Sequence, residues 1–596
     1  MEVVDFIVNS ANAALKQEFG KGLTDEGVHI LEPFVGTGTF ITRLLQTGLI
    51  TPEDLQRKYT QELHANEILL LAYYIAAINI EETYHELAGG DYVPFNGIVL
   101  TDTFQMNEHD DKLGLGIFED NSDRGKAQKG KDITVIFGNP PYSAGQKSQN
   151  DNNKNLAYPS LDERIRSTYA KHSTATNKNS LYGSEIRALK WASERIGNRG
   201  IIAYVTNGSF IDSNSRDGLR KCLVDEFSSI YCFNLRGNGR TSGETCRKEG
   251  HPLFAAHGGK GGSLTPIAIL LLIKNPDRPK AKQIFYHDIG DYLTRDQKLE
   301  TIAKLTSITG IDWQEITPND AHDWINQRDP AFDNFIALGD KKGNETKTIF
   351  DLYSIGVKTN RDSWVYNFSI NLLTKNMNKM IDFYNEEVER YKKRLKIEIG
   401  VDNFVDGDAT KISWSRDLKQ DLKKGNHRSF KKDSICIGQY RPFCKQRMYF
   451  NKYFNNDVGL IPKLFPKEDL GNSVICIPGI GGTRDFTVFM SNTIPDCNFF
   501  ISASQCFPLY HYEKREKTDQ TNLFEQGEGY SKKENIPDAI LKEFQQVYND
   551  TNLTKEDIFY YVYGILHSPE YKTRFAADLK KNVTPYSLRW GFLGIQ

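Results

Sequence analysis

The sequence lacks the features that mark membrane, secreted and zinc-binding proteins. Its longest apolar run near the middle, residues 267–273 ("IAILLLI"), is far shorter than the roughly 20 residues of a membrane-spanning helix. The N-terminus "MEVVDFIVNSANAALKQEFG" has no basic cluster of the kind that opens a secretory signal. The eight cysteines form no CxxC pair, which argues against a zinc site. We therefore expect a cytoplasmic protein with free thiols, no bound metal and no membrane partner.

Motifs of several common enzyme classes are also missing. The sequence contains no P-loop GxxxxGK[ST], no GxSxG and no HExxH, which argues against a P-loop ATPase, a serine hydrolase of the nucleophile-elbow type and a zinc protease. The formal net charge is only −2. A polyanion, if one binds, must therefore bind to a local basic surface.

Hydrophobic patterning predicts two domains, since 596 residues are too many for one hydrophobic core. Residues 1–325 alternate short apolar runs with helical patterns, which predicts a Rossmann-like, doubly wound α/β domain with seven strands. We expect these strands at residues 28–33, 59–63, 97–102, 133–138, 200–206, 229–235 and 265–273. Residues 326–596 lose this rhythm and predict a mixed α+β domain with a long polar helix within residues 373–400 and a helical C-terminal part.

Polar groups follow the first strands of the predicted sheet. Gly36 and Gly38 lie in a turn before a helix, where a ligand can approach the backbone closely. Glu62, 24 residues after Gly38, and Asp102 end the next two predicted strands. A two-glycine turn or a strand-end acid is weak evidence by itself. A strand order of 3-2-1-4-5 would place the turn opposite "NPPY" (139–142), at the switch point where open α/β sheets bind ligands.

In this order the motifs resemble those of the gamma-class N6-adenine DNA methyltransferases. Later stretches, among them "NLRGNGRTSGE", "SIGVKTNRDSWVYNFS", "YRPFCKQRMYF" and "EDIFYYVYGILHSPEY", are similar to the methyltransferase and target-recognition portion of the type ISP single-chain restriction–modification enzymes. The resemblance implies S-adenosyl-L-methionine as cofactor, double-stranded DNA as substrate, a methyltransferase domain at 1–325 and a target-recognition domain at 326–596.

The resemblance also implies roles for individual residues. Glu32 and the turn glycines are assigned to the methionine end of the cofactor, Glu62 to its ribose, and Leu63 and Asp102 to its adenine. Phe254 is suggested as a second wall of the target-base pocket. The predicted cofactor-binding set is Glu32, Pro33, Phe34, Gly36, Thr37, Gly38, Glu62, Leu63 and Asp102.

The "NPPY" tetrapeptide suits chemistry on a planar amine. The side-chain oxygen of Asn139 and the carbonyl of Pro140 can each accept one amino hydrogen, which draws the nitrogen toward tetrahedral geometry. Proline fixes φ and has no N–H, so Pro140 and Pro141 stiffen the turn. Tyr142 can stack on a base flipped out of the duplex. The alternative interpretation is a rigid turn with a surface tyrosine.

A basic, aromatic-rich stretch in the second domain is the candidate DNA-binding surface. Between Lys411 and Phe450 there are 11 Lys and Arg residues against 3 Asp and no Glu, a local net charge of +8. Such a stretch can neutralise phosphates, although charge runs are usually only solvated surface. The DNA-binding candidates are Lys358, Arg361, Tyr440, Arg441, Lys445 and Arg447.

Two ends of the chain depart from the family pattern. The sequence opens at "MEVVDF", where the family has a Thr-Pro pair just upstream, and it ends in "NVTPYSLRWGFLGIQ", where the family usually reads Pro-Arg-Ile-Pro. We expect a modification and recognition piece, with a nuclease and helicase portion of a restriction–modification system as a candidate partner. A methyltransferase acting on RNA or on a protein glutamine amide, and a non-catalytic DNA-recognition fragment, stay open as alternatives.

Overall fold

The computed structural model describes residues 1–107, 119–142, 158–175, 178–241, 243–254, 265–278, 284–340, 347–394, 400–479, 486–500, 503–515, 529–581 and 589–590. The chain divides into two compact units, Met1–Gln327 and Arg328–Gln596. The boundary expected from the loss of α/β rhythm lies two residues earlier than this division.

The first unit is built on a sheet of nine strands, counted over the described residues, in the order β3-β2-β1-β4-β5-β7-β6-β8-β9. Strands β7 and β9 run antiparallel to their neighbours and the other strands run parallel. The order reverses between β1 and β4, as predicted. The strands are β1 His29–Glu32, β2 Leu63–Glu67, β3 Ile98–Leu100, β4 Ile133–Gly138, β5 Gly200–Asn207, β6 Ser229–Arg236, β7 Ile267–Lys274, β8 Ile284–Asp288 and β9 Gln314–Ile316.

Helices cover the central strands. These strands are almost continuously apolar, because parallel strands are buried on both faces of the sheet. Strand β5, for example, is buried from Gly200 to Thr206. The helices of this unit are α1 Glu2–Phe19, α2 Thr39–Gln46, α3 Pro52–Arg57, α4 Leu70–Ala88, α5 Glu119–Lys129, α6 Pro159–Ile165, α7 Ser184–Arg195, α8 Asp217–Glu226, α9 Gly243–Glu249 and α10 Arg295–Leu305.

The sheet corrects two predictions. It has nine strands in the described residues where seven were expected, because β8 and β9 extend it beyond β6. The predicted strand at 59–63 is a π-helix, Lys58–Glu62, and β2 begins only at Leu63. Tyr59 and Leu63, which suggested a strand, are both buried and four residues apart, a spacing that a helix also brings to one face.

The second unit is a mixed α+β structure with four small sheets in its described part, ordered β10-β21, β11-β18-β15-β16, β12-β14-β13-β17 and β19-β20. Its strands are β10 Ile336–Ala337, β11 Ser354–Ile355, β12 Tyr366–Asn367, β13 Ile435–Arg441, β14 Cys444–Tyr449, β15 Val474–Ile477, β16 Phe489–Ser491, β17 Ile494–Pro495, β18 Gln505–Pro508, β19 Tyr510–Lys514, β20 Tyr530–Glu534 and β21 Arg589–Trp590.

The long polar helix predicted within 373–400 is α12, which runs from Ile370 to Lys392. Toward the C-terminus four helices follow one another. The helices of this unit are α11 Asp362–Val365, α12 Ile370–Lys392, α13 Val401–Phe404, α14 Arg416–Lys423, α15 Ile461–Leu464, α16 Asp538–Tyr548, α17 Lys555–His567, α18 Pro569–Arg574 and α19 Ala576–Lys581.

The described helices include none that is both long and apolar enough to cross a membrane. All eight cysteines lie in the described ranges and none of them is in a disulfide.

Arg220 ties the end of the first unit to helix α8. Its fully buried guanidinium donates to the carbonyls of Phe210, Ser213 and His322 at 3.0, 2.8 and 2.7 Å and lies 3.5 Å from the buried Asp323 carboxylate. Removing one member of a buried, hydrogen-bonded charge network leaves the others unpaired.

We expect Arg220→Met to destabilise the protein by about 3–5 kcal/mol, because three carbonyls lose the guanidinium as a donor and the buried Asp323 carboxylate loses its nearby positive charge. Urea-induced unfolding of the full chain measures this. Arg166→Met is the matched control, since the Arg166 side chain is 70% exposed and forms a surface ion pair with Glu163; it should cost less than about 0.5 kcal/mol. Equal unfolding midpoints for the two variants would contradict the expectation.

Candidate functional site

The glycine turn lies at the carboxyl end of β1, next to the point where the strand order reverses. Gly38 has a φ of 87°, and an added Cβ would meet Ile80 Cγ1 at 3.2 Å and the Ala76 carbonyl at 3.3 Å. Glycine is therefore required for the turn to pack against α4. A Cβ added at Gly36 would meet no heavy atom of the described residues within 4 Å, so the turn faces open space in front of helix α2.

Glu32 ends β1 and is 2% exposed. One carboxylate oxygen, Oε2, has no hydrogen-bond partner among the described residues. Burial raises the pKa of Glu32 well above its ordinary value, and a hydrogen bond from the Ile41 backbone only partly opposes this shift. A buried carboxylate with an unpaired oxygen is costly unless a donor or a cation completes it. Glu32 therefore fits the cationic amine of a ligand.

Strand β2 presents Glu67, not Glu62, at the same edge. Glu67 Oε2 accepts from the Gly36 N–H at 2.8 Å, and Oε1 accepts from the N–H groups of Ile68 and Leu69 at 3.0 and 2.8 Å. The carboxylate thus joins the end of β2 to the glycine turn. It occupies the place that the sequence analysis gave to Glu62.

Glu62 lies at the opposite, amino end of β2, which corrects its predicted role. It accepts from the Gly27 N–H at 2.7 Å and pairs with Arg57 and with the buried ammonium of Lys58. Burial by itself raises the pKa of Glu62, but the hydrogen bonds from Lys58 and Gly27 outweigh it and lower the pKa overall. Glu62 is a structural ion-pair partner in this position.

The position of Leu63 also disagrees with its predicted packing on the adenine ring of the cofactor. It is the first residue of β2, is 1% exposed and belongs to the hydrophobic core. The apolar side chain that directly follows the edge carboxylate is Ile68, which is 41% exposed. The missed signal was the second acidic residue, five positions downstream of Glu62, at the end of the same apolar segment.

Asp102 follows β3, as predicted, and is held by its neighbours. Its Oδ2 accepts from the Tyr158 hydroxyl at 2.8 Å and its Oδ1 accepts from the Phe104 N–H at 3.0 Å. Burial raises the pKa of Asp102, although these hydrogen bonds oppose the shift. The Phe34 and Phe104 rings lie 5.4 Å apart, so Phe34 lines this part of the edge.

The remaining predicted turn residues lie beside these groups. The buried Pro33 accepts a 2.6 Å hydrogen bond from the Thr103 hydroxyl through its carbonyl. Thr37 is exposed, and its carbonyl accepts from the Asn79 side chain at 2.9 Å. The turn is thus fixed from both flanks, and its outer surface stays accessible.

The "NPPY" tetrapeptide leaves β4 directly opposite the glycine turn. Because Leu31 pairs with Ile136, Glu32 and Gly138 end neighbouring strands. A Cβ at Gly138, whose φ is 150°, would lie 3.7 Å from Glu32 Cγ. Asn139, the next residue, is exposed, Pro140 is buried and Pro141 is exposed. The structure therefore brings the predicted catalytic amide next to the predicted cofactor carboxylate.

Tyr142 forms a hydrogen bond with Asn139, three residues earlier. Its hydroxyl donates to Asn139 Oδ1 at 2.5 Å and to the Val205 carbonyl at 3.1 Å. The ring is half-buried and packs against the core of the first unit. Burial raises the pKa of Tyr142, and the nearby Glu185 carboxylate raises it further. Tyr142 is therefore a neutral hydrogen-bond donor to the amide oxygen.

A buried ion pair near Tyr142 was missed from the sequence. Glu185 Oε1 accepts from Arg216 Nη2 at 2.7 Å and lies 3.4 Å from the Asn207 side-chain nitrogen at the end of β5. Both members are more than nine-tenths buried, and in the described part of the chain Glu185 Oε2 and Arg216 Nη1 have no hydrogen-bond partner. Neither residue falls in a recognisable motif, so only the fold reveals their association.

Phe254 lies in the connection between β6 and β7, which leaves and re-enters the sheet at the same edge, and it is 39% exposed. Its role as a wall of the base pocket stays a prediction.

In the second unit, three of the predicted DNA-binding residues are exposed and three are not. Lys358, Lys445 and Arg447 are exposed. Arg361 is 3% exposed, and burial lowers its pKa to about 10. The structure therefore does not present Arg361 at the surface, and its DNA-binding role stays a prediction.

Tyr440 and Arg441 also differ from the expectation of free DNA-contacting groups. The Arg441 guanidinium lies 3.0 Å from the Asp496 carboxylate, 3.5 Å from Asp362 and over the Tyr440 ring at 3.9 Å. The Tyr440 ring in turn contacts Tyr366, 4.8 Å away. Both side chains are half-buried and lie at the turn end of the β13–β14 hairpin.

The charge of the basic stretch is partly neutralised by acids that the local count omits. Lys411 pairs with Asp406 and Lys419 pairs with Asp402, and both acids precede the counted segment. Arg428 pairs with Asp421 inside it. The free cationic surface is therefore smaller than the sequence alone suggests.

A mostly parallel sheet whose switch point carries a glycine turn, three edge carboxylates and an "NPPY" tetrapeptide is an α/β fold of the kind that binds ligands at this edge. Residues 348–584 match the family model of the type ISP C-terminal specificity domain. The chain is therefore a relative of the type ISP restriction–modification enzymes and contains their specificity domain.

Solved structures extend this relationship to both units. A nuclease-deletion mutant of the type ISP enzyme LlaGI, in complex with a DNA substrate mimic, is 42% identical with a TM-score of 0.82 and covers 100% of this chain. The ATP-dependent type ISP enzyme LlaBIII, bound to DNA, is 40% identical with a TM-score of 0.79 and covers 97%. DrdV, in a complex with DNA, is 35% identical with a TM-score of 0.81 and covers 100%.

This chain spans 45% of the LlaGI chain, 37% of the LlaBIII chain and 55% of the DrdV chain. Among curated proteins, no sequence matches it.

The positions of Glu62 and Glu67 predict opposite phenotypes. We expect Glu67→Gln to weaken binding of S-adenosylmethionine, the cofactor that the resemblance implies, roughly 10- to 100-fold, because an amide NH₂ would face the N–H of Gly36 or Ile68. Glu62→Gln should leave the affinity unchanged but lower the free energy of unfolding by about 3 kcal/mol, because Lys58 stays buried without its carboxylate. Calorimetric titration and urea unfolding measure the two effects. An affinity loss in Glu62→Gln alone would contradict the assignment.

Proposed function

We propose that this chain transfers a methyl group from S-adenosylmethionine to the N6 amine of an adenine flipped out of duplex DNA, as the modification part of a restriction–modification system. The observation that carries the proposal is the position of Asn139, which is exposed and directly follows Gly138, the neighbour of Glu32 at the switch point of the sheet. In this proposal Met1–Gln327 performs the methyl transfer and Arg328–Gln596 reads the DNA.

The residues at the sheet edge suit this cofactor. Glu32, with its unpaired buried oxygen, would hold the methionine ammonium, and Glu67 would accept from the ribose hydroxyls. Asp102 would accept from the adenine amine, with Ile68 and Phe34 against the ring. When bound, S-adenosylmethionine supplies an electrophilic methyl group.

The chain's own contribution is to orient a weak nucleophile. The lone pair of an adenine amine is delocalised into the ring, so the amine must be drawn toward tetrahedral geometry. Asn139 Oδ1 and the Pro140 carbonyl would each accept one amino hydrogen, so the lone pair points away from both acceptors. As the nitrogen gains the methyl group it gives up one proton, which passes to water because neutral amide oxygens are too weakly basic to keep it.

The hydrogen bond from Tyr142 to Asn139 Oδ1 has a defined place in this sequence of events. It satisfies the acceptor while no base is bound, and the target amine replaces it on entry. Adenine is inaccessible inside the base stack, so the nucleotide must be flipped out first. Tyr142, released from Asn139, would then stack on the flipped base.

Relatives bound to DNA support the choice of substrate over RNA or protein. Since the matched region covers less than two thirds of these relatives, we further propose that the chain acts together with a nuclease and ATP-dependent helicase portion.

Asn139→Ala tests the catalytic role. We expect methyl transfer from tritiated S-adenosylmethionine to DNA to fall at least 100-fold, since one of two orienting acceptors is lost, while cofactor and DNA affinities change less than about threefold. Asn326→Ala, which removes an exposed amide that contacts Asp212 in the same unit, is the control and should retain wild-type activity. Near-normal turnover of Asn139→Ala would contradict the role. Wild-type labelling of RNA or protein instead of DNA would favour the alternative substrates.

Two substitutions at Tyr142 separate its ring from its hydroxyl. Tyr142→Ala should raise KM for DNA roughly 10- to 100-fold, because a stacking contact with a base contributes about 1–3 kcal/mol. Tyr142→Phe keeps the ring and removes the hydroxyl that bonds to Asn139 Oδ1 and to the Val205 carbonyl, so its KM should stay within about threefold of wild type. Steady-state kinetics on one duplex measures both. Equal losses in the two variants would exclude stacking as the role of the ring.

A further inference from the structure

The tip of the β13–β14 hairpin has an unusual backbone. Arg441 pairs with Cys444, so Pro442 and Phe443 form the two-residue turn. Proline suits the first of these positions, and Phe443 has a φ of 65° at the second. This sign pattern is that of a type II turn, whose second central residue is normally glycine or asparagine. A bulky aromatic residue there carries a conformational cost.

The Phe443 side chain gains no burial in return. It is 91% exposed, the highest value among the exposed large apolar side chains of the described residues. Its ring meets the ring of Phe489 nearly at right angles, with centroids 5.4 Å apart and planes at 83°. Phe489 stands on the buried Phe499, 5.2 Å away. The exposed ring therefore contacts a row of aromatic rings that ends at a buried phenylalanine.

Cationic groups follow the ring on β14. Lys445 and Arg447 are both exposed and alternate with Gln446, so they lie on one face of β14. Lys445 donates to Asn492 at 2.9 Å. Next to the turn of the hairpin the register shifts between Gln439 and Arg441, and Arg441 is anchored to Asp496. Such a shift re-aims a hairpin. The result is a braced arm with an apolar tip and a basic flank.

We propose that the Phe443 ring is a wedge that inserts between two base pairs of duplex DNA, with Lys445 and Arg447 on the adjacent phosphates. The proposal rests on the proposed function, because it takes duplex DNA as the ligand of the second unit. Apolar wedges of this kind unstack a base step and kink the duplex. The basic flank favours a polyanion over an apolar protein surface, since a protein partner would have to supply several acids beside one small hydrophobic contact.

The backbone conformation at Phe443 allows the ring to be removed without loss of stability. Phe443→Gly removes the ring and also relieves the left-handed strain, so the melting temperature should stay the same or rise. Any loss of binding then cannot come from misfolding. Phe368→Gly, which removes another highly exposed Phe of the same unit, 74% exposed, is the matched control for lost apolar surface.

The readouts are affinity, its salt dependence and local unstacking. We expect Phe443→Gly to bind a duplex that contains the sequence methylated by the chain roughly 10- to 100-fold more weakly than wild type does. The slope of log Kd against log salt should be unchanged, because no phosphate contact is lost. Lys445→Gln and Arg447→Gln should each reduce that slope by about 1. Phe368→Gly should bind as wild type does.

Placement of 2-aminopurine at each position of the site locates the wedge. Wild type and Asn139→Ala should both show a fluorescence increase at one step other than the target adenine, and Phe443→Gly should lose only that signal. Unchanged affinity and fluorescence in Phe443→Gly would overturn the inference, whether or not the enzyme methylates DNA. Absence of methyl transfer by the wild type would overturn the proposed function, which the wedge signal does not test.

Discussion

The site depends on one geometric constraint, the convergence of β1 and β4 at the carboxyl edge of a parallel sheet. The pairing of the two strands brings their ends together, so that a Cβ at Gly138 would lie 3.7 Å from Glu32 Cγ. Gly138, whose φ of 150° favours glycine, directly precedes Asn139. The unpaired, buried oxygen of Glu32 and the exposed Asn139 therefore lie at the same edge of the sheet.

The carboxylates of this edge differ from ordinary surface acids because each is held by backbone N–H groups. Glu67 links β2 to the glycine turn through Gly36, and Asp102 is fixed by Phe104 and Tyr158. These contacts orient the acceptors before any ligand arrives. A preorganised site loses less conformational entropy on binding. Tyr142 extends the same principle to Asn139, whose acceptor it satisfies until a substrate amine replaces it.

Patterns of short range predicted much of this arrangement from the sequence. Apolar runs bounded by glycine or proline predicted β4 and β5 to within a residue, and the strand order around β1 followed from the rules for open sheets. The error at β2 arose because Tyr59 and Leu63 satisfy helix and strand spacing equally. The ammonium of Lys58, the first residue of the π-helix, donates to the carbonyls of Asp25 and Val28, about thirty residues earlier. Long-range pairs of this kind, like Arg441 with Asp496, are invisible to local patterns.

The central claim is that Asn139 and the glycine turn act on one adenine amine. Long-read methylation sequencing of DNA from cells that lack other adenine methyltransferases and express this chain tests it most directly. The account predicts N6-methyladenine at a single recurrent sequence, absent from cells that lack the chain. Adenines left unmodified by a folded chain that binds S-adenosylmethionine, or methyl groups on cytosine instead, would contradict it.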